Sequence, residues 1–148
     1  MVETALPVAL RLVEHFEGLH LRPYLDPVGI PTVGLGAIRY LDGRAVTLLD
    51  PPITREHAYD MARHHLRVVC VPAVLRLCPQ TDTPERLAAL ADFVFNLGAG
   101  RLQASTLRRR VAARRWEDVP QELGRWVYGG GVVLRGLVRR REAEAALI

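Results

Sequence analysis

Apolar residues recur at helical spacing near the start of the chain. Leu6, Leu10, Val13 and Glu17 follow one another at intervals of four, three and four, so they share one helix face. The spacing predicts a helix over Ala5–Glu17, with Gly18 as a natural stop. Three members of the row are apolar and the last is a carboxylate, so Glu17 stands at a helix end, aimed as the core residues are. The following segment changes character, because Pro23, Pro27, Gly29, Pro31, Gly34 and Gly36 break any helix. Short extended runs remain at Thr32–Leu35, Ile38–Leu41 and Arg44–Leu48. Asp42-Gly43 between the last two is a strong hairpin signal, and a small antiparallel sheet is expected.

Helical periodicity returns at Thr54, a candidate N-cap, with Ala58, Met61, Ala62, His65, Leu66 and Val69 on one side. That helix is long enough to connect two lobes, and Pro72 should end or kink it. Thr83-Pro84 joins a cap to proline at the first helical position. The helix it opens carries Leu87, Leu90, Ala91 and Val94 and ends at Asn96-Leu97-Gly98. Further helices fit Ser105–Ala113, Glu117–Val127 and Arg135–Leu147, with Gly129-Gly130-Gly131 as a flexible break. The expected fold class is α+β, mainly α-helical. One domain over 1–148 would divide into a helix plus small sheet (1–54), a connecting helix region (55–78) and a helical lobe (79–148).

Composition narrows the picture. A chain of 148 residues with 49% hydrophobic and 24% charged residues is an ordinary globular chain that builds a core without staples. Its longest apolar stretch, Val68–Leu75, is interrupted by Pro72 and falls well short of a bilayer span. The N-terminal segment carries Glu3 and Glu14 and no basic region, unlike a secretory signal. The formal charge is +4, and every one of the 20 basic residues is arginine. From Arg101 onward eleven arginines face five acids, whereas the first hundred residues hold nine against eleven. A basic half suits an anionic partner or a solvated helical surface. No aromatic–basic interleaving or nucleic-acid motif accompanies it, so nucleic acid is not the expected partner. Cys70 and Cys78 are too few for a disulfide framework and are expected to be reduced. His57, His64 and His65 fit no standard metal spacing, and no metal or other cofactor is expected.

The segment richest in chemistry runs from Phe16 to Gly36. It holds Glu17 and Asp26 with eight residues between them, and Thr32 with five more between. Glycoside hydrolysis needs two acidic groups flanking a sugar bond, one protonated to serve the leaving oxygen and one ionised. Glu17 lies against an apolar helix face, which favours the protonated acid, while Asp26 lies on an exposed turn, which favours the carboxylate.

This pattern, Glu-x8-Asp-x5-Thr within FEGLxLxxYxDPxGxPTxGxG, resembles the phage lysozymes of the T-even and lambdoid type. Phe93-Val94-Phe95-Asn96-Leu97-Gly98, Ser105-Thr106-Leu107, Arg125-Trp126 and Gly136-Leu137-Val138-Arg139-Arg140-Arg141 with Glu144 are similar to that family in the same order. The resemblance implies a two-lobed lysozyme-like fold. It also implies a muramidase that cuts the β-1,4 bond between N-acetylmuramic acid and N-acetylglucosamine in peptidoglycan. On it, Glu17 matches the general acid, Asp26 the second acidic residue, and Thr32 the threonine that helps hold the attacking water, which implies inversion. Phe95, Asn96 and Thr106 match cleft positions between the lobes. Trp116 and Trp126 sit in helical patterns and read as core rather than sugar-stacking rings.

Two positions depart from the family pattern. Ala37 stands where a histidine often follows Gly-x-Gly, and Arg135 stands where proline often precedes Gly-Leu. One of Arg139, Arg140 and Arg141 could pair with Glu17 from below, opposing the effect of burial on that acid. The chain resembles the subgroup that accumulates in the host cytoplasm, inserts no segment stably in a membrane, acts as a monomer, and reaches the wall through a holin-type pore. The rival readings are a lytic transglycosylase or a non-hydrolytic wall-binding protein on the same fold. The pair Asp26 and Thr32 speaks against the first, which needs no water-positioning groups.

Overall fold

A computed structural model describes every residue from Met1 to Ile148. Helix α1 spans Val2–Glu17, starting earlier than its periodicity indicates. Its fully buried row is Ala5, Ala9 and Val13, with Leu6 and Leu10 packed at the flanks rather than at the centre. Small side chains in that row let the helix backbone approach its neighbour. One further step of four from Val13 reaches Glu17, so the carboxylate ends the buried row. Gly18 then turns the chain at a φ of 73°, a conformation open to glycine.

Strand β1 (His20–Leu25) follows and pairs antiparallel with β2 (Pro31–Gly34), placing Tyr24 opposite Thr32 and Leu25 opposite Pro31. β1 was not among the expected strands. It accommodates Pro23 because a two-stranded ribbon leaves one side of each strand without a ladder partner. The expected hairpin of Ile38–Leu41 with Arg44–Leu48 is reduced to a single bridge between Arg39 and Ala45. Its turn is present: Asp42 accepts from the Arg44 N–H at 2.9 Å. Polar contacts replace the rest of the ladder, as Asp50 accepts from the Tyr40 hydroxyl at 2.7 Å and from the N–H and hydroxyl of Thr47, each at 2.8 Å.

A continuous helical run connects this ribbon to the rest of the molecule: α2 (Arg55–His65), a π-helical turn (Leu66–Cys70) and α3 (Val71–Leu77). Thr54 caps it, accepting from the His57 N–H at 3.0 Å. Pro72 does not end the run. The wider turn before it, in which the Val71 N–H reaches back to the Leu66 carbonyl, absorbs a residue that lacks an N–H. The same turn rotates the helix phase. His65 and Val69, expected on the buried side, are exposed, and Cys70 follows Leu66 into the core.

Helix α4 (Pro84–Leu97) begins at the Thr83 cap and stops at Gly98, where φ is 89°. Its residues Leu87 to Val94 are all buried, so it forms the axis of the main core, with α1 and α3 packed against it. Each fully buried leucine there contributes about 1.5–3 kcal/mol of apolar burial. A smaller cluster of Val33, Val46 and Met61 lies between the ribbon and α2.

The remaining elements are α5 (Ala99–Gln103), α6 (Thr106–Ala112, capped by Ser105), α7 (Val119–Leu123), β3 (Tyr128–Gly129), β4 (Val132–Val133) and α8 (Arg135–Ala145). α8 also packs on α4. The helix expected over Glu117–Val127 is shortened to a 3₁₀ turn at Trp116–Asp118 plus α7. The glycines expected as a flexible break form an ordered hairpin: Gly130 and Gly131 have φ values of 58° and 81°, the pairing that type I′ turns require. Trp116 is buried beneath the Arg86 guanidinium, 4.2 Å from its ring centre, and Trp126 sets its ring against the edge of Phe93 at 5.6 Å. Cys70 and Cys78 are buried free thiols.

Candidate active site

Glu17 enters the site as the last residue of α1. One carboxylate oxygen, Oε1, accepts from Arg140 Nη1 at 2.8 Å. Its side chain keeps 23% of its exposure, whereas that of Arg140 keeps 4%. Of the three neighbouring arginines, Arg140 is therefore the partner. Its guanidinium is divided: Nε and Nη2 donate to the two oxygens of Asp92 on α4, at 2.9 and 2.8 Å. Burial disfavours charge on Arg140, but Asp92 and then Glu17 more than offset it, holding the guanidinium above its ordinary range. A permanently charged, doubly anchored fork thus fixes where the Glu17 carboxyl sits.

The other Glu17 oxygen faces the turn after β2. A Cβ on Gly36 would lie 2.7 Å from Oε2, so only glycine leaves room for the carboxyl there. Gly36 has a φ of 77°, which also suits glycine alone.

Asp26 follows the end of β1. Its Oδ1 accepts the N–H groups of Val28 and Ile30 at 2.9 and 2.8 Å, locking the turn and leaving Oδ2 without a protein donor. Thr32 lies on β2 with 3% exposure, and its hydroxyl donates to the Ile30 carbonyl at 2.8 Å. With its one proton committed, the Thr32 oxygen retains lone pairs that accept.

Tyr24 links these groups and was not singled out from sequence. It stands directly opposite Thr32 across the ribbon, so the two side chains share a face. Burial raises its phenol above the ordinary range, and the charges of Glu17 and Asp26 raise it further. Tyr24 therefore lies within electrostatic reach of both carboxylates.

The expected cleft residues are dispersed. Phe95 meets the ring of His65 edge-on at 5.2 Å, and both line a cavity of about 370 Å³ with Leu35, Gly36 and Ala37. Asn96, half-buried, accepts at Oδ1 from Arg141 Nη2 at 2.8 Å. Thr106 opens α6, and its hydroxyl accepts from Arg109 at 3.2 Å. Asp92 was also missed from sequence, since a lone acid in a helix reads as surface until its partner is known. No group of three or more potential metal-ligating side chains gathers anywhere in the chain.

The phage lysozyme family model matches residues 14–144. The chain belongs to the phage lysozyme family. Among relatives of this phage lysozyme chain, the SAR-endolysin of Escherichia phage Mu is 30% identical over 140 residues, covering 90% of this chain and 74% of the relative. Among solved structures, the endolysin from Escherichia coli O157:H7 phage FAHEc1 superposes with a TM-score of 0.84 at 31% identity, covering 94% of this chain and 89% of that one. The muramidase domain of SpmX from Asticaccaulis excentricus gives 0.80 at 29% identity, covering 95% and 93%. The matched span contains Glu17, Asp26, Thr32, Asp92 and Arg140, so the ion-paired carboxyl belongs to the lysozyme portion of the chain.

Proposed function

We propose that the chain is a muramidase that hydrolyses the β-1,4 bond between N-acetylmuramic acid and N-acetylglucosamine in peptidoglycan, with inversion at the anomeric carbon. The observation that carries this reading is the pairing of an anchored Glu17 carboxyl with two acceptors left open at Asp26 and Thr32. Glu17 is the general acid that protonates the leaving oxygen. A water that donates its two hydrogens to Asp26 Oδ2 and Thr32 Oγ1 turns a lone pair toward the anomeric carbon, and Asp26 takes up the proton released as the new bond forms. Membership of the phage lysozyme family supports this reaction, and the chemistry requires no cofactor. On the family resemblance, Phe95, Asn96 and Thr106 are the substrate contacts, of which Phe95 lines the cavity beside Gly36.

In this reading the enzyme acts as a monomer to lyse a bacterial host. It is made in the host cytoplasm and reaches the periplasmic wall through a holin-type pore. No helix of the chain is long and apolar enough to cross a membrane.

Product analysis tests the proposal. Digested peptidoglycan should carry reducing muramic acid ends, and NMR taken before mutarotation should show the α-anomer first. Anhydro ends would identify a transglycosylase. A β-anomer appearing first would make Asp26 a nucleophile and remove the role given to Thr32.

A further inference from the structure

Behind Glu17 the interior holds a second arginine that the mechanism does not use. Arg141 is 1% exposed, and its Nη2 donates both to Glu144 Oε1 at 2.7 Å and to Asn96 Oδ1 at 2.8 Å. The remaining face of its guanidinium lies 5.1 Å from the ring centre of Phe93. Glu144 is fully buried. The two adjacent arginines of α8 therefore reach different targets: Arg140 joins Asp92 to Glu17, and Arg141 joins Glu144 to Asn96.

A guanidinium can only donate, so the Asn96 atom facing it must be the carbonyl oxygen. The amide nitrogen of Asn96 is thereby turned away from Arg141, and no protein group accepts from it. Such an amide is an oriented donor available to an oxygen acceptor outside the protein. Glu144 has its own unfinished valence, because Oε2 is buried without a hydrogen-bond partner. Burial, and then the neighbouring Asp92, push the Glu144 carboxyl well above the usual range, against the pull of Arg141 and Arg140. The carboxyl's one hydrogen bond is the one that Oε1 accepts from Arg141, so its hold on that guanidinium rests on this single oxygen.

We propose that Glu144 is a positioning residue which, through Arg141, fixes the side-chain amide of Asn96 so that its N–H₂ binds an oxygen of the glycan substrate. The identity of that acceptor, a sugar hydroxyl or acetamido oxygen, rests on the muramidase reading. The orientation of the amide does not.

The test compares N96A, E144A, E144Q and the double variant N96A/E144A on soluble peptidoglycan fragments. E144A and N96A should each raise KM about tenfold, the scale of one lost hydrogen bond, with kcat and its pH profile unchanged. E144A should add nothing in the N96A background. E144Q should bring KM back to within about threefold of the wild type, because the glutamine side-chain oxygen accepts from Arg141 as Glu144 Oε1 does. Independent effects of E144A and N96A, or a fall in kcat with KM untouched, would overturn the proposal. Should E144A fail to fold, the ¹⁵N-labelled side-chain amide of Asn96 in the wild type decides. Resonances displaced from free-amide positions, and moved by E144Q, support the arm; free-amide resonances refute it. This readout needs no substrate, so an inactive wild type would refute the muramidase reading while leaving the arm to be judged separately.

Discussion

At the scale of single residues, Glu17 is separable from the framework that holds it. Arg140 makes two hydrogen bonds to Asp92 and one to Glu17, so neutralising Glu17 leaves the buried guanidinium paired. E17Q should therefore fold as the wild type does, with an unchanged circular dichroism spectrum, while, on the general-acid role proposed for Glu17, peptidoglycan hydrolysis falls by about 10²–10⁴-fold. Retained activity within a few-fold would move the general acid elsewhere. Asp92 offers the contrast: D92A removes two of the three hydrogen bonds of the buried Arg140 and should cost about 3–5 kcal/mol in denaturant unfolding. Glu144 carries a pH signature of its own. Its carboxyl is raised, first by burial and then by Asp92, above an unfolded value of 4.5. The folded protein keeps a proton that the unfolded chain releases, so this group's contribution to stability is complete below that value. It is lost as pH rises through the folded range. E144Q has no proton to lose, and its melting temperature relative to wild type should climb between pH 4 and pH 8. A constant difference would show that folding does not raise the Glu144 carboxyl.

At the scale of elements, the close approach of the turn after β2 to the end of α1 decides whether the site forms. G36A meets two obstacles, a φ of 77° and a Cβ 2.7 Å from Glu17 Oε2. G43A meets only the first, since its φ is 86° and nothing lies within 4 Å. Both variants should lose about 1–2 kcal/mol to left-handed strain. Only G36A should also lose activity, by about 10²-fold through displacement of the carboxyl. Equal activity in the two would mean that Glu17 tolerates displacement.

The elements legible in the sequence were those set by local chemistry. Thr54, Thr83 and Ser105 cap the helices that follow them, and Gly18 and Gly98 stop α1 and α4. Glu17 was legible because a helix repeats its face every few residues. β1 was not, because its partner lies beyond a proline-rich turn and Pro23 argues against any strand. The π-turn was not, because periodicity assumes a constant pitch and therefore assigned Val69 the place that Cys70 takes. The choice of Arg140 over its neighbours depends on α8 docking against α1 and α4, since adjacent helical residues diverge by roughly 100° and only tertiary contacts select among them.

At the scale of the whole molecule, the basic C-terminal half divides into arginines with partners and arginines without. Arg110 and Arg125 pair with Glu122, Arg115 pairs with Glu117 and Asp118, and Arg140 and Arg141 are consumed in the interior. Arg101, Arg135 and Arg139, like Arg109 and Arg114, are exposed and take part in no salt bridge. If peptidoglycan is the partner, its stem-peptide carboxylates meet these unpaired charges, and their attraction is screened beyond about 8–10 Å near physiological salt. Co-sedimentation of E17Q with purified cell wall should therefore weaken steeply as salt rises. Replacing Arg101, Arg135 and Arg139 together by glutamate should remove much of that salt dependence, whereas charge reversal at the already paired Arg115 should change it little. The contrast matters because simple net charge predicts that the effect per arginine is equal. Binding unchanged from low to high salt would assign these arginines to solvation of the helical surface, and the wall would then be held by the cleft alone.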